Sequence, residues 1–217
     1  PLNNKKTLLI VSFHPCIFPY RSGGEERIYC FSQELSKYFD VSILSIGWAN
    51  RPEIVFHQNV REVRLPNDFV LQHQNEILKY YSGYTTEPAA LLALKNPNLI
   101  SIILDHIEDP DFIIHEYPFS YSLISLFPKS SHIYHSQNLG FQLYKNVLFE
   151  KAANTLRLHD LLKEAETTLI DKSSLVCTCT IEEKRNLKNL FPRADIFVSP
   201  NGINRTETTW RFDKNKG

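Results

Sequence analysis

Short apolar runs alternate with stretches of helical periodicity along this chain, and that alternation constrains the fold more than any other feature. Residues 7–13 (TLLIVSF), 41–46 (VSILSI), 111–115 (DFIIH), 131–135 (SHIYH), 174–179 (SLVCTC) and 195–199 (DIFVS) have the length of buried strands. Residues 60–65 (VREVRL) make a weaker seventh. Between the first two runs, residues 25–39 place Ile28, Phe31, Leu35 and Tyr38 on one helical face. Residues 69–81, 89–107, 139–150, 155–172 and 182–191 also read as helical, with breaks at 82–88 and near Asn96 and Pro97. Strands too apolar to face water, interleaved with helices, predict a doubly wound, Rossmann-like α/β domain with a mainly parallel sheet. About six or seven strands are expected, with 7–13 at the centre.

Composition narrows the partners. Of 217 residues, 24 are Lys or Arg and 24 are Asp or Glu, interleaved, so no net positive field points to a nucleic acid. With 42% hydrophobic residues, a chain of this length buries a sizeable core without disulfides. Cys16, Cys30, Cys177 and Cys179 are read as reduced thiols, and the last two are too close in sequence for a zinc knuckle. No apolar run approaches the roughly 20 residues of a membrane span, and residues 8–13 are too short for a signal-peptide core. The expectation is a cytoplasmic protein, with peripheral contact at the inner face of a membrane left open. The chain has no methionine and opens Pro-Leu-Asn-Asn, so it is expected to begin part-way through a longer product.

The loop after the first strand carries the clearest local chemistry. In Ser22-Gly23-Gly24-Glu25, Ser22 is a plausible N-cap and Glu25 can complete a capping box. Two glycines let backbone approach a ligand without an intervening Cβ, and a helix start offers free N–H groups to a phosphate or carboxylate. A tight turn into a capped helix accounts for the same residues equally well.

Residues 5–47 (KKTLLIVSFHPCIFPYRSGGEERIYCFSQELSKYFDVSILSIG) resemble the opening of family 4 GT-B glycosyltransferases: a strand, a proline-containing loop, a Gly-Gly-x-Glu-Arg helix start and a second strand. Residues 165–204 (AETTLIDKSSLVCTCTIEEKRNLKNLFPRADIFVSPNGIN) are similar to the stretch that closes the family's N-terminal domain. Between them, 111–116 is similar to the family's Pro-Asp-led strand and 134–138 (YHSQN) to its His-x-x-Asn segment. Residues 48–107 carry no resemblance.

The resemblance implies one half of a GT-B fold, with residues 1–204 as the acceptor-side Rossmann-like domain and 205–217 as the crossing toward a missing C-terminal donor-binding domain. It implies retaining transfer of a sugar from a nucleotide-sugar co-substrate to a carbohydrate or lipid-linked acceptor, with no cofactor and no metal. This chain alone is expected to be inactive. Gly23 and Gly24 would lie against the donor phosphate or sugar, and Arg27 would brace the loop. His135 and Glu116 are the catalytic candidates, although no protein base is assigned. His14, His115, Tyr117 and Asn138 are the acceptor-binding candidates, and Asn201 and Gly202 mark the interdomain linker.

Other features have plainer readings. Glu26 with Glu34, and Glu108 with Glu116, reproduce the family's Glu-x7-Glu spacing, but neither has the glycine-rich surroundings of its donor site. Phe119, Tyr121, Phe141 and Tyr144 suit a stacking wall or a core, and Leu139, Leu143 and Val147 suit a lipid contact or a core. Lys184, Arg185 and Lys188 beside Glu182 and Glu183 read as a solvated face. Two other functions fit the same residues: a non-catalytic carbohydrate- or lipid-binding subunit, and half of a sugar-nucleotide 2-epimerase.

Overall fold

In the computed structural model, which describes residues 5–17, 22–78, 86–136, 140 and 153–200, β1 (Thr7–Val11) lies inside an eight-stranded sheet. The other strands are β2 (Asp40–Ile46), β3 (Glu53–His57), β4 (Val60–Leu65), β5 (Phe112–His115), β6 (Ser131–Ser136), β7 (Leu175–Thr178) and β8 (Ile196–Val198). Their order across the sheet is β3-β4-β2-β1-β5-β6-β7-β8, and every pairing is parallel except β3 with β4. All seven expected strands form, with the first of them central.

Burial on both faces explains why those runs were continuous. Along β1, Leu8 and Ile10 enter one core with Ile28, Val41 and Ile43, while Leu9 and Val11 enter another with Leu44, Val63 and Ile113. The first face is covered by α1 (Gly23–Leu35). The second is covered by α3 (Thr86–Ala93), α4 (Pro97–His106) and the long α6 (Ala153–Lys172). Between these lie α2 (Asp68–Leu78), a 3-10 turn at Pro118–Ser122 and the short α5 (Leu123–Leu126). The last helix, α7 (Ile181–Leu190), packs on β7 and β8 around Leu187, Val176 and Ile196.

Capping chemistry fixes the helix starts. Ser22 Oγ accepts the Glu25 N–H at 3.3 Å, as the loop sequence predicts. Thr180 and Glu183 form a full capping box on α7, with bonds of 3.1 and 3.0 Å. Asn96 caps α4 through the Asn98 N–H, and with Pro97 in its first turn this splits the expected helix 89–107 into α3 and α4.

β3, the 3-10 turn and α5 were not anticipated. β3 turns back onto β4 through Gln58, whose φ is positive at 51°. The 3-10 turn at Pro118–Ser122 replaces an unassigned loop. Apart from Gly140, the expected helix at 139–150, with Leu139, Leu143, Val147, Phe141 and Tyr144, lies outside the described residues, as does the domain boundary at 204 and 205.

Candidate functional site

From β1 the sheet runs out through β2 to β4 on one side and through β5 to β8 on the other. The crevice at the C-terminal ends of β1 and β5 is therefore the topological switch point, where doubly wound sheets bind ligands. The loop after β1 enters it under tight control. Glu62 of β4, 0% exposed, accepts the Cys16 and Ile17 N–H groups at 2.7 and 3.2 Å and the Ser45 hydroxyl at 2.9 Å. Arg64 completes the carboxylate's shell from Nε and Nη2 at 3.0 and 2.9 Å, and also donates to the Ile17 carbonyl at 2.8 Å. A buried carboxylate with this many donors fixes the backbone around it.

Beyond that loop, α1 points its N-terminus at the crevice. Gly23 is exposed, and a Cβ there would meet nothing within 4 Å. A Cβ on Gly24 would lie 3.9 Å from both Ser22 Oγ and Tyr117 Oη, which is ordinary contact, and no described glycine has positive φ. The fold itself does not demand glycine at either position. Glu25 and Glu26 occupy the first turn, where they complement the helix dipole.

One turn further on, α1 joins the ends of β5 and β6. Arg27 Nη2 lies 2.6 Å from His135 Nε2, and Glu116 Oε1 lies 3.2 Å from His135 Nδ1. Arginine has no acceptor, so Nε2 carries the lone pair, and Nδ1–H donates to Glu116. Arg27 Nη1 stands 3.6 Å from Glu116 Oε2 and is buried without a hydrogen bond. His135 and Glu116 are 3% and 2% exposed. Both catalytic candidates are thus brought together, but His135 has both ring nitrogens engaged. Arg27, expected to brace the loop, ties α1 to His135 and Glu116 at the ends of β5 and β6.

The acceptor candidates separate. Tyr117 is half-buried beside Gly24, stacked on Phe119 at 5.8 Å. His14 is half-buried and lies parallel to Trp48, with centroids 6.3 Å apart; burial pushes its pKa down, against the charge of Glu25. His115 does not reach the crevice, which corrects its assignment to acceptor binding. It is 0% exposed, with Nδ1 2.8 Å from Ser120 Oγ and Nε2 3.0 Å from His132 Nδ1. His132 Nε2 donates to the Phe127 carbonyl at 3.1 Å, so its Nδ1 accepts from His115 Nε2–H, while the single Ser120 hydroxyl proton lies between His115 Nδ1 and the Tyr117 carbonyl, 2.9 Å from the latter. Burial and the neighbouring His132 push the His115 pKa down to about 3. Asn138, Asn201 and Gly202 lie outside the described residues.

Sequence reasoning missed Trp48, Glu62, His132 and Glu166. Glu166, 0% exposed, accepts the Tyr134 hydroxyl at 2.7 Å and the Gly140 N–H at 3.1 Å, tying α6 to the end of β6. Of the aromatic set, Phe119 is buried in the core and Tyr121 packs against it.

At the opposite end of the strands, by the starts of β1, β2 and β4, a cavity of about 240 Å³ opens among Thr7, Asp40, Arg61 and Glu108. Glu108 therefore sits at the far end of β5 from Glu116, and Glu26 and Glu34 are both exposed, so neither Glu-x7-Glu spacing forms a site. All four cysteines are free thiols. No helix among the described residues is long and apolar enough to cross a membrane.

No protein-family model and no curated protein matches the chain. Solved structures do. Sucrose-phosphate synthase from Thermosynechococcus elongatus matches at TM-score 0.60 and 13% identity over 92% of this chain and 49% of its own. An α,α-trehalose-phosphate synthase from Burkholderia vietnamiensis matches at TM-score 0.59 and 12% identity, covering 93% and 50%. The catalytic domain of starch synthase IV from Arabidopsis thaliana, bound to ADP and acarbose, matches at TM-score 0.58 and 11% identity, covering 92% and 52%. The chain spans about half the length of these structures. At such identity the likeness speaks for the fold: the domain has the architecture of one Rossmann-like half of a GT-B glycosyltransferase.

Proposed function

We propose that this domain is the acceptor-side half of a retaining glycosyltransferase, which moves a sugar from a nucleotide-sugar donor to a carbohydrate or lipid-linked acceptor. The observation that carries this reading is the convergence at the switch point. There the Gly23–Gly24 helix start, Tyr117 and the Arg27–His135–Glu116 network meet on one crevice wall. A helix N-terminus without side chains suits the phosphate or sugar of a donor held across the cleft by a second domain. The fold neighbours lend support from their own ligands: one holds ADP and acarbose, another glucose 6-phosphate.

His135 and Glu116 act here as positioning residues. They tie Arg27, and with it α1, to the ends of β5 and β6, and so hold the helix start at the distance a ligand needs. Displacement of reacting groups by about 1 Å can cost on the order of a hundredfold in rate. His14, Tyr117 and Asn138 remain the acceptor contacts, with His115 withdrawn because it is buried. Asn201 and Gly202 keep their proposed place in the linker, and no metal or cofactor enters the scheme.

The test uses the full-length protein with panels of UDP-, ADP- and GDP-sugars and saccharide or lipid-linked acceptors. Acceptor-dependent release of nucleoside diphosphate, with retained anomeric configuration by NMR, is expected. Inversion at C2 of the sugar nucleotide would mark an epimerase, and binding without any turnover a non-catalytic subunit; either sinks the transferase reading. The 217-residue chain alone presents one wall, so it should transfer nothing and bind sugar nucleotides no tighter than about millimolar, near −4 kcal/mol. Micromolar binding by calorimetry would contradict that.

A further inference from the structure

Five rings run without a break across the ends of β5, β1 and β2. Tyr117 stacks on Phe119, which meets Phe13 edge-on with centroids 5.3 Å apart. Phe13 meets His14 edge-on at 4.5 Å, and His14 lies parallel to Trp48, with 16° between their planes. The inner rings are core: Phe13 and Phe119 are 3% and 1% exposed. The Trp48 end differs, with 53% of the residue exposed.

That end is built rather than loose. Gly47 donates its N–H to the Leu65 carbonyl at 2.7 Å. A Cβ on Gly47 would lie 3.1 Å from both Arg64 Cβ and that carbonyl oxygen, so only glycine fits without displacing β4. The chain is thereby pinned one residue before Trp48, while His14 is fixed by a loop whose Cys16 and Ile17 are held by Glu62. A flat, half-exposed indole with a neutral imidazole beside it offers two kinds of contact at once. The exposed indole accepts an apolar surface, while the imidazole nitrogens exchange hydrogen bonds with hydroxyls. A pyranose ring has that pairing, with one face of C–H groups and a rim of hydroxyls. An acyl chain would cover the indole but leave the imidazole unmatched.

We propose that Trp48 and His14 form a stacking subsite for a pyranose ring of a carbohydrate acceptor. The subsite rests on the transferase reading for the word acceptor, whereas saccharide binding itself does not.

Trp48 and Trp210 are the two tryptophans of the chain, so Trp210→Phe leaves Trp48 as the reporter. Its fluorescence is titrated with maltose, with cellobiose, and separately with phosphatidylglycerol vesicles. A saturable emission change with a saccharide, weakened at least roughly tenfold by His14→Ala, is expected, a difference of about 1.4 kcal/mol. No response to either saccharide, or a response to vesicles alone, overturns the subsite. In the full-length enzyme, Trp48→Ala should raise the acceptor KM about tenfold and leave the donor KM within about twofold, with Trp48→Phe restoring most of the loss. A structural role for the indole would lower the melting temperature instead of splitting the two KM values. Transfer with an unchanged acceptor KM in Trp48→Ala defeats the subsite and leaves the transferase reading standing. Saccharide binding without transfer by the full-length protein does the reverse.

Discussion

Glu62 on β4 and Glu116 after β5 lie on opposite sides of β1 and are almost equally hidden, at 0% and 2% exposure, yet they are held in different ways. Glu62 is ringed by two backbone N–H groups, a hydroxyl and an arginine fork, all between 2.7 and 3.2 Å. Glu116 meets His135 at 3.2 Å and Arg27 at 3.6 Å, and an Arg27 nitrogen beside it has no hydrogen bond. Full ligation makes the Glu62 side a fixed frame. The His135 and Arg27 contacts to Glu116 are longer, and the Arg27 nitrogen without a hydrogen bond can take a partner when a ligand arrives. A fold can thus place a rigid hinge and an adaptable site on neighbouring strands, using the same residue type.

The largest expected effect breaks the frame. Glu62→Ala leaves the Cys16 and Ile17 N–H groups without their acceptor and strips Arg64, 12% exposed in its side chain, of its carboxylate. Breaking a buried pair in this way costs about 3–5 kcal/mol. For a domain of this size, that lowers the melting temperature by roughly 10 °C, read by circular dichroism. A variant melting within about 2 °C of the parent would show that the loop after β1 is held by something else.

Acid comes next and acts on the Glu116 side. His115 and His132 are both kept neutral by burial, His115 with a pKa near 3 against an ordinary value of 6.5. Below about pH 6.5 the unfolded chain takes up protons that the fold refuses, so the stabilisation is complete above that value and drains as pH falls toward 3. Each excluded proton costs about 1.4 kcal/mol per pH unit. Between pH 6.5 and 5, ordinary carboxylates scarcely titrate, so urea titrations there report these imidazoles together with that of His14, and His14→Ala separates its share. Stability that stays flat across that window would mean the pair accepts a proton in place.

How much of this was legible follows from where each signal lies in the chain. Parallel strands buried on both faces advertise themselves as apolar runs, and Thr7–Val11 is the plainest. β3 did not, because it is an edge strand with Ile54 and Phe56 45% and 70% exposed, and its turn is Gln-Asn instead of a glycine dipeptide. His115 was misassigned although strand periodicity held the answer. It shares parity with Ile113, which is fully buried, and Ile113 registers with His132. The glycine helix start was readable from capping logic because all its parts are local. The Arg27–His135 and Glu62–Cys16 contacts, 108 and 46 residues apart in sequence, exist only once the sheet order is known.

Glu116→Gln sharpens the contrast without breaking the fold. The amide oxygen can still accept from His135 Nδ1, while the amide NH2 takes the place of the oxygen that faced Arg27, so the charge and the acceptor on that side are lost. The melting temperature should fall by only a few degrees, since about 1 kcal/mol is at stake. Turnover in the full-length enzyme should drop about thirtyfold, near 2 kcal/mol of barrier, because Arg27 no longer ties α1 to the end of β5. An equally large loss of stability would place Glu116 with Glu62 as part of the frame.

The smallest effect tests the glycine start itself. A methyl on Gly24 would meet Ser22 Oγ and Tyr117 Oη at 3.9 Å and face no positive-φ strain, so the folded chain has room for it. Alanine also favours a helix over glycine by up to about 1 kcal/mol in an interior position, and less in a first turn. Gly24→Ala should therefore melt within a few degrees of the parent, on the high side. If the helix N-terminus is the wall against which donor and acceptor meet, that methyl occupies space a ligand needs. Turnover should then fall at least about tenfold, or 1.4 kcal/mol of barrier. Gly23→Ala, whose Cβ would meet nothing within 4 Å, serves as the companion measurement. Loss at both positions means a ligand lies along the whole turn, and loss at Gly24 alone places it toward Tyr117. Parental turnover in both would reduce the turn to a helix cap and leave the site resting on Arg27, His135 and Glu116.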